Sequence, residues 1–368
     1  MNNLEILATF GNTEDVQNYL VHQLIQKELT EKRYSYTCVK FNMNSIPPEN
    51  FRFLFRFEKE HIIKLHQALQ MPAKWVTPDG HVIEGLLLST IEKKFRIFKH
   101  SSFIGLAGLC LVLRRFSYPN RLKGLQNEFG LHFSSISKIL KFVVTFIFKK
   151  WAKLLLNFDK NIWLTQGFLA EVAAFVHKKG APLRNCIGFI DGTARAICRP
   201  SKFQKEVYSG HKRIHCLKFQ SITVPNGIIL HLSPPYSGRR HDSFILKNSK
   251  ILEQMKLHCP QFCLYGDEGY PLVQQLIRPF SNHNLTEQQQ MFNTKMSKIR
   301  QCVEWSFGKI TTQFAFVDLK KNQKLFLQPI GQYYIVAALL TNAHTCFYGS
   351  TTSRYFDIES LDIMEYFQ

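Results

Sequence analysis

The chain has 368 residues, with 47 Lys+Arg against 27 Asp+Glu and a net charge of +20. With 45% hydrophobic and 13% aromatic residues it has ample material for packed cores, which excludes a disordered chain. A surplus of positive charge this large points to polyanionic partners. No apolar run reaches the ~18 residues of a spanning helix, so the reading includes no membrane partner. Met1-Asn-Asn-Leu-Glu-Ile6 lacks the basic-then-apolar order of a secretory signal. The nine cysteines have no Cys-x-x-Cys spacing, as expected of reduced thiols. His258, Cys259 and Cys263 make only half a zinc pattern and read as bystanders.

Residues 1–50 mix polar and aromatic side chains and close on Ser45-Ile-Pro-Pro-Glu49, which marks them as an N-terminal extension. A basic, aromatic, helically periodic stretch follows at 51–69, then a turn at Pro78-Asp-Gly80. Three helices are expected between residues 105 and 153. The first is 106–118, stopped by Pro119. The second is 120–129, stopped by Gly130. The third starts at a Ser134-Ser135 cap and carries Ile136, Ile139, Leu140, Val143 and Val144 on one face. This is the outline of a helix-turn-helix. Between residues 103 and 153 there are nine Lys/Arg and a single acid, Glu128. Arg114, Arg115, Arg121, Lys123, Lys138 and Lys141 are therefore the candidate DNA contacts here, against the alternative of solvated charges on a helical bundle.

Another helical stretch over 154–185 leads into the apolar run Cys186-Ile-Gly-Phe-Ile-Asp191, read as a buried strand ending at an aspartate turn. Two alternating runs, 217–224 and 228–232, flank Pro225-Asn226-Gly227 and predict a hairpin. A loop rich in Arg239, Arg240 and His241 precedes a helix starting near Asp242. A second strand runs from Phe262 to Asp267, followed by a Gln-rich loop at 287–290. The next helix carries Ile299, Cys302, Val303, Ser306, Phe307 and Ile310 as its packing stripe, with Glu304 at the flank. An apolar helix over 332–344 comes last. Strand, hairpin, strand and then helices is the order of an RNase H-like α/β domain. The domain reading is an extension at 1–50, a helical region at 51–160, an RNase H-like domain at 161–349 and a tail at 350–368.

Asp191, Asp267 and Glu304 are the candidate catalytic acids, with Asp242 as a further candidate metal ligand. Phosphodiester hydrolysis needs an activated water and neutralisation of charge on the phosphorus oxygens. Paired Mg²⁺ or Mn²⁺ ions do both, and such hard cations take carboxylate oxygens. The competing readings are local: turn residues at Asp191 and Asp267, an N-cap at Asp242, and an ion pair between Glu304 and Arg300. Arg213, Arg239 and Arg240 are candidate phosphate contacts near the acids. His215, His231 and His241 lack helical ligand spacing. Nothing in the sequence spaces the 32 Phe as a platform for stacking bases.

The motifs Gly188-Phe-Ile-Asp-Gly-Thr193, Ile197-Cys-Arg-Pro200, Tyr208-Ser-Gly-His-Lys-Arg213, Gly238-Arg-Arg-His-Asp-Ser243, Gly266-Asp-Glu-Gly-Tyr-Pro271 and Val303-Glu-Trp-Ser-Phe-Gly308 resemble the PIF/Harbinger transposases of the DDE endonuclease superfamily. Residues 113–121 look like that family's helix-turn-helix entry. The resemblance implies an RNase H-like core that binds divalent metal. It puts Asp191, Asp267 and Glu304 on the catalytic acids and Asp242 on a further metal-associated aspartate. It also implies action on transposon ends in the nucleus and, often, a separate Myb/SANT-like DNA-binding partner; the sequence leaves the oligomeric state open, a homo-oligomer included. The segment 83–104 looks like an insertion, and Ala194 stands where the family often has His. A domesticated binder that no longer cuts DNA, or a basic RNA scaffold, are the rival functions.

Overall fold

The computed structural model describes residues 41–72, 74–76, 82–84, 105–282 and 284–368. The extension up to residue 40, the Pro78-Asp-Gly80 turn and nearly all of the insertion-like segment lie outside these residues.

The N-terminal part is helical. Helices α1 (Asn50–Phe55) and α2 (Lys59–Ala68) precede a two-stranded antiparallel ribbon of β1 (Lys74–Val76) and β2 (Val82–Glu84). The three expected helices follow as α3 (Gly105–Ser117), α4 (Leu122–Phe129) and α5 (Phe133–Trp151). Gly130 ends α4 at φ +63, a left-handed conformation that glycine adopts without Cβ strain. Helices α4 and α5 are bent 94° apart, within the range of a helix-turn-helix. Two boundaries differ from the sequence reading. Helix α4 starts two residues late, after Pro119 and Asn120. Helix α5 is capped by His132, whose Nδ1 lies 3.4 Å from the Ser134 backbone N–H, so Ser134 and Ser135 fall inside it. Among the described residues no single helix is long and apolar enough to cross a membrane.

Helix α6 (Gln166–Lys178) leads into the sheet. Its strands are β3 (Cys186–Ala196), β4 (Tyr208–Ser209), β5 (Ile214–Thr223), β6 (Ile229–Leu232), β7 (Tyr236–Ser237), β8 (Cys263–Tyr265) and β9 (Leu276–Ile277). The expected hairpin is present: β5 and β6 pair antiparallel, and the Val224 N–H donates to the Ile228 carbonyl across the turn. Strand β3 pairs antiparallel with β5 and parallel with β8, and β8 runs parallel to β9. The central strand is therefore β3, buried on both faces from Cys186 to Ile190 as its apolar run requires. The expected turn at Asp191 is absent, because β3 continues through Ala196 with each residue registered on β5. Parallel pairing with β8 stops at Phe189, so Asp191 lies just past the point where its neighbour strand leaves.

Helices α7 (Asp242–Ser249) and α8 (Ile251–His258) join the hairpin side to β8. The long α9 (Glu287–Gln313) lies against the sheet, and the Thr223 and Ser306 hydroxyls hydrogen-bond at 2.8 Å. The Gln-rich stretch at 287–290 is the first turn of this helix, not a loop. Thr286 and Gln289 form a reciprocal capping box, and that signal outweighs the polarity of the stretch. Helix α10 (Ile330–Tyr348) is apolar all round and packs between β6 and α5, tying the two halves together. Asn342 reinforces that contact by bonding both polar groups of Ile229. Residues 350–368 carry α11 (Thr351–Phe356) and α12 (Ile363–Tyr366), with Phe356, Tyr366 and Phe367 buried.

Candidate active site

Four acids on four different elements meet beside the C-terminal end of the β3–β8 pair. Asp191 sits on β3, opposite Ser221 of β5. Its Oδ1 accepts a hydrogen bond from the Gly192 N–H at 2.8 Å. Asp267 lies just beyond β8, and its Oδ1 accepts from the Gly269 N–H at 3.1 Å. Parallel strands end at the same edge of a sheet, which is why two apolar runs each followed by an aspartate converge here.

Asp242 opens α7 and reaches the same place. A methyl group at Gly192 would lie 2.7–3.0 Å from the three carboxylate atoms of Asp242, so that carboxylate rests directly on the β3 backbone next to Asp191. The residue that caps α7 is His241, which leaves the Asp242 side chain available to the site. Its partner is Lys218 of β5, 3.7 Å away. Glu304 is the outer member, 59% exposed on the flank of α9. The buried stripe of that helix is Ile299, Cys302, Val303, Ser306, Phe307 and Ile310, as expected from spacing.

Arg300, one turn before Glu304, lies among the acids. Its Nη1 is 3.2 Å from Asp191 Oδ2 and its Nη2 is 3.8 Å from Glu304 Oε1. The Nη1 contact is an ion pair by distance but is not aligned as a hydrogen bond. Burial pushes the Asp191 carboxyl above the ordinary carboxylate range. Arg300 opposes that shift, and the charges of Asp267 and Glu304 add to it. Asp267 is also raised, first by burial, with Arg300 opposing and Asp242 adding. The acids thus feel one another's charge, as carboxylates gathered at one site must.

Tyr270 was not singled out by the sequence reading, yet it lies at the centre. Its side chain is buried, and its hydroxyl accepts a hydrogen bond from Gln220 Nε2 at 2.9 Å. The same Gln220 nitrogen also donates to the Asp242 carbonyl at 3.2 Å. Burial raises the phenol well above its usual range, and Asp242, Asp191 and Asp267 all raise it further. The signal was in the motif Gly266-Asp-Glu-Gly-Tyr270, but a tyrosine three residues past an acid has no distinctive spacing.

The candidate DNA contacts divide into two groups. Arg121, Lys123, Lys138 and Lys141 are exposed on the helix-turn-helix, and Arg213, Arg239 and Arg240 are exposed around the sheet edge. Arg240 lies over the Phe244 ring at 4.2 Å. Two arginines differ from expectation. Arg114 makes a bidentate pair with Glu128, at 2.7 and 2.9 Å, which ties α3 to α4. Arg115 is buried, its guanidinium over the Phe316 ring at 4.2 Å, so it does not lie on the surface offered to a duplex. The position of a basic residue in a helix-turn-helix outline does not tell which face it occupies. His231 is buried, which drives its pKa down to about 3, and no other ligand type joins it.

A family model described as DDE superfamily endonuclease matches residues 190–342. That segment contains all four acids and ends inside α10, and it supports a transposase- or nuclease-like function in general terms. No curated protein matches the chain, and no solved structure does.

Endonucleases of this superfamily generally use divalent metals. Among the described residues no three His, Cys, Asp or Glu side chains are drawn together at metal-ligand spacing. The chemistry of the donors nevertheless suits a hard cation. All four are carboxylates, the charges of Asp267 and Glu304 raise Asp191 and that of Asp242 raises Asp267, and the site's cations are the exchangeable side chains of Arg300 and Lys218.

Proposed function

We propose that the chain is a divalent-metal-dependent DNA endonuclease of transposase type, built on an RNase H-like core. The observation that carries this reading is the convergence of Asp191, Asp267 and Glu304 around Arg300, with Asp242 resting on the β3 backbone beside Asp191, inside the segment that matches the endonuclease family. Asp191, Asp267 and Glu304 are the catalytic acids of this reading, and Asp242 joins them in holding metal. Mg²⁺ or Mn²⁺ held there supplies water activation and neutralises charge on the phosphate oxygens.

The chain's own residues do the rest. The Gly192 and Gly269 amides each fix one oxygen of the neighbouring aspartate. Gln220, held by Tyr270, anchors the backbone of Asp242. Arg213, Arg239 and Arg240 contact phosphates beside the acids, while Arg121, Lys123, Lys138 and Lys141 grip the duplex at a distance from the chemistry. The Harbinger resemblance extends the reading to transposon ends as substrate, nuclear action and a Myb/SANT-like partner.

The test is nicking of supercoiled plasmid by the purified chain in Mn²⁺, beside Asp191→Asn and Glu304→Gln. The expected result is nicking by the wild type alone, with DNA binding of the variants nearly intact, since the acids hold metal rather than phosphate. Nicking that survives in both variants sinks the reading. A second reading, a domesticated binder that does not cut, draws on one observation: Arg300 lies within ion-pair distance of both Asp191 and Glu304. It predicts DNA binding with no nicking under any divalent ion.

A further inference from the structure

A cavity of about 330 Å³ lies between the helix-turn-helix and the segment before α10. Arg115 of α3 and Ser137 and Lys141 of α5 form one wall; Phe326, Leu327 and Gln328 form the other. Arg115 is more than nine-tenths buried, and its Nη1 has no hydrogen-bond partner among the described residues. No carboxylate among them pairs with it either. Its neighbours are the Phe316 ring and the Tyr333 phenol. A buried guanidinium without a counter-charge is costly unless something anionic joins it.

Phe326 of the cavity wall, with Phe203 packed against it, is a second anomaly. Phe326 and Phe203 are 65% and 59% exposed, and their rings meet at 5.8 Å. Both have left-handed backbones, φ +69 and +58, which bulky side chains rarely adopt. Leu327 beside them is 76% exposed. Strained backbone that presents two aromatic rings to solvent is a pattern found at binding sites rather than in packing. Lys202 and Lys205 flank Phe203 in the sequence and are exposed, as is Lys141.

We propose that this cavity binds one nucleotide unit of an unpaired DNA strand, its phosphate against Arg115 and Lys141 and its base on Phe326. A flat ring joined to a phosphate fits a pocket with aromatic and aliphatic walls and a buried cation. Pockets for ligands of that size begin near ~300 Å³. Aromatic rings beside cations are how single strands are held without sequence preference. A protein segment with an acidic, aromatic tip shares part of this chemistry. One wall of the cavity, however, includes α5, the helix that carries the candidate duplex contacts Lys138 and Lys141, and this favours the strand. The inference rests on the reading of the chain as a DNA enzyme but uses none of its cleavage chemistry.

The test is fluorescence anisotropy of a short labelled oligothymidylate with the full chain, without divalent metal, beside a duplex of equal length. Free thymidine monophosphate and inorganic phosphate serve as competitors. Phe326→Gly removes the ring at a backbone conformation glycine prefers, and Lys141→Gln removes an exposed charge, so both variants keep the fold. Each is expected to weaken the single strand by about tenfold; Phe326→Gly should weaken the duplex by less than twofold, whereas Lys141→Gln, at a candidate duplex contact, is read on the single strand only. Thymidine monophosphate should displace the strand at lower concentration than phosphate. Three results overturn the proposal, all read on Phe326→Gly: unchanged strand affinity, equal loss of strand and duplex, or a stability loss with binding retained. Displacement by an acidic aromatic peptide whose own binding, and not the strand's, is lost in Phe326→Gly would assign the cavity to a protein partner instead. Because no metal is present, failure here leaves the nicking test untouched, and absence of nicking leaves this one untouched.

Discussion

Replacing Arg300 with glutamine removes the one cation that lies between Asp191 and Glu304. The contact to Asp191 is 3.2 Å, with the two side chains 21% and 18% exposed. At an effective dielectric constant of about 20, that separation corresponds to a gross attraction of about 5 kcal/mol. Desolvation of both groups takes back much of it, and removing one partner of a mostly buried pair exposes the penalty of the other. The contact to Glu304 is longer and its carboxylate is 59% exposed, so it adds at most about 1 kcal/mol. Arg300→Gln should therefore lower the stability of the metal-free protein by about 1–3 kcal/mol, a drop of several degrees in Tm. In Mn²⁺ the order should change. Metal entering the wild type has to displace Arg300, whereas in the variant it meets carboxylates with no competitor. The gain in Tm on adding Mn²⁺ should thus be larger for Arg300→Gln than for wild type, following the binding linkage. Thermal melts of both proteins across a Mn²⁺ series make the measurement. Equal melting of the two proteins without metal, or equal gains with it, refutes the idea that the arginine and the metal share one place.

Three further outcomes follow from particular contacts. Gly192→Ala puts a methyl group 2.7–3.0 Å from the Asp242 carboxylate. Because that carboxylate can rotate away, stability should fall by less than the roughly 1–3 kcal/mol usual for overpacking, while plasmid nicking is lost. Tyr270→Phe removes the acceptor of the Gln220 bond, which should cost about 1 kcal/mol in a melt and slow nicking about tenfold, as loss of an outer-shell partner does. Lys309 is held by Thr345 and the Gly349 carbonyl, and burial lowers its pKa from 10.5 to about 7. Between these values the unfolded chain keeps a proton that the folded protein has released, so this residue makes stability rise with pH across that window. Relative to Lys309→Met, the wild type should gain up to about 1.4 kcal/mol per pH unit above pH 7; a constant difference between the two melts across the window refutes it.

The acids were legible because each follows a signal that tertiary structure cannot easily reverse. An apolar run buried on both faces must be an interior strand, so Asp191 and Asp267 had to emerge at one edge once β3 and β8 ran parallel. The stripe Ile299–Ile310 fixed which face of α9 is buried, and with it the flank on which Glu304 stands. What spacing did not carry was depth and partnership. Arg115 reads like Arg121, yet one is buried on Phe316 and the other caps α4 in solvent. The difference arises from residues two hundred positions away. The Gln-rich stretch was misread because its polarity outweighed the Thr286–Gln289 capping box in the reading, although that box is local and visible. Phe203 and Phe326 are 123 positions apart and meet only in three dimensions.

On the proposed reading, the charge balance of the site lets one set of side chains serve both with and without metal. Four carboxylates face two cations, Arg300 and Lys218, and this leaves two negative charges to be met by other means. Burial is the main reason that Asp191 and Asp267 are held above the ordinary carboxylate range, and the charges of the neighbouring acids add to it. A divalent ion relieves the same deficit without protons, so metal affinity should rise with pH as those carboxyls ionise. Arg300 is carried by the same helix as Glu304, one turn earlier, and its long side chain can leave the acids without any movement of the backbone. On the proposed reading that side chain moves aside when metal enters and the acids close on the ion, and Arg300→Gln separates its displacement from their adjustment.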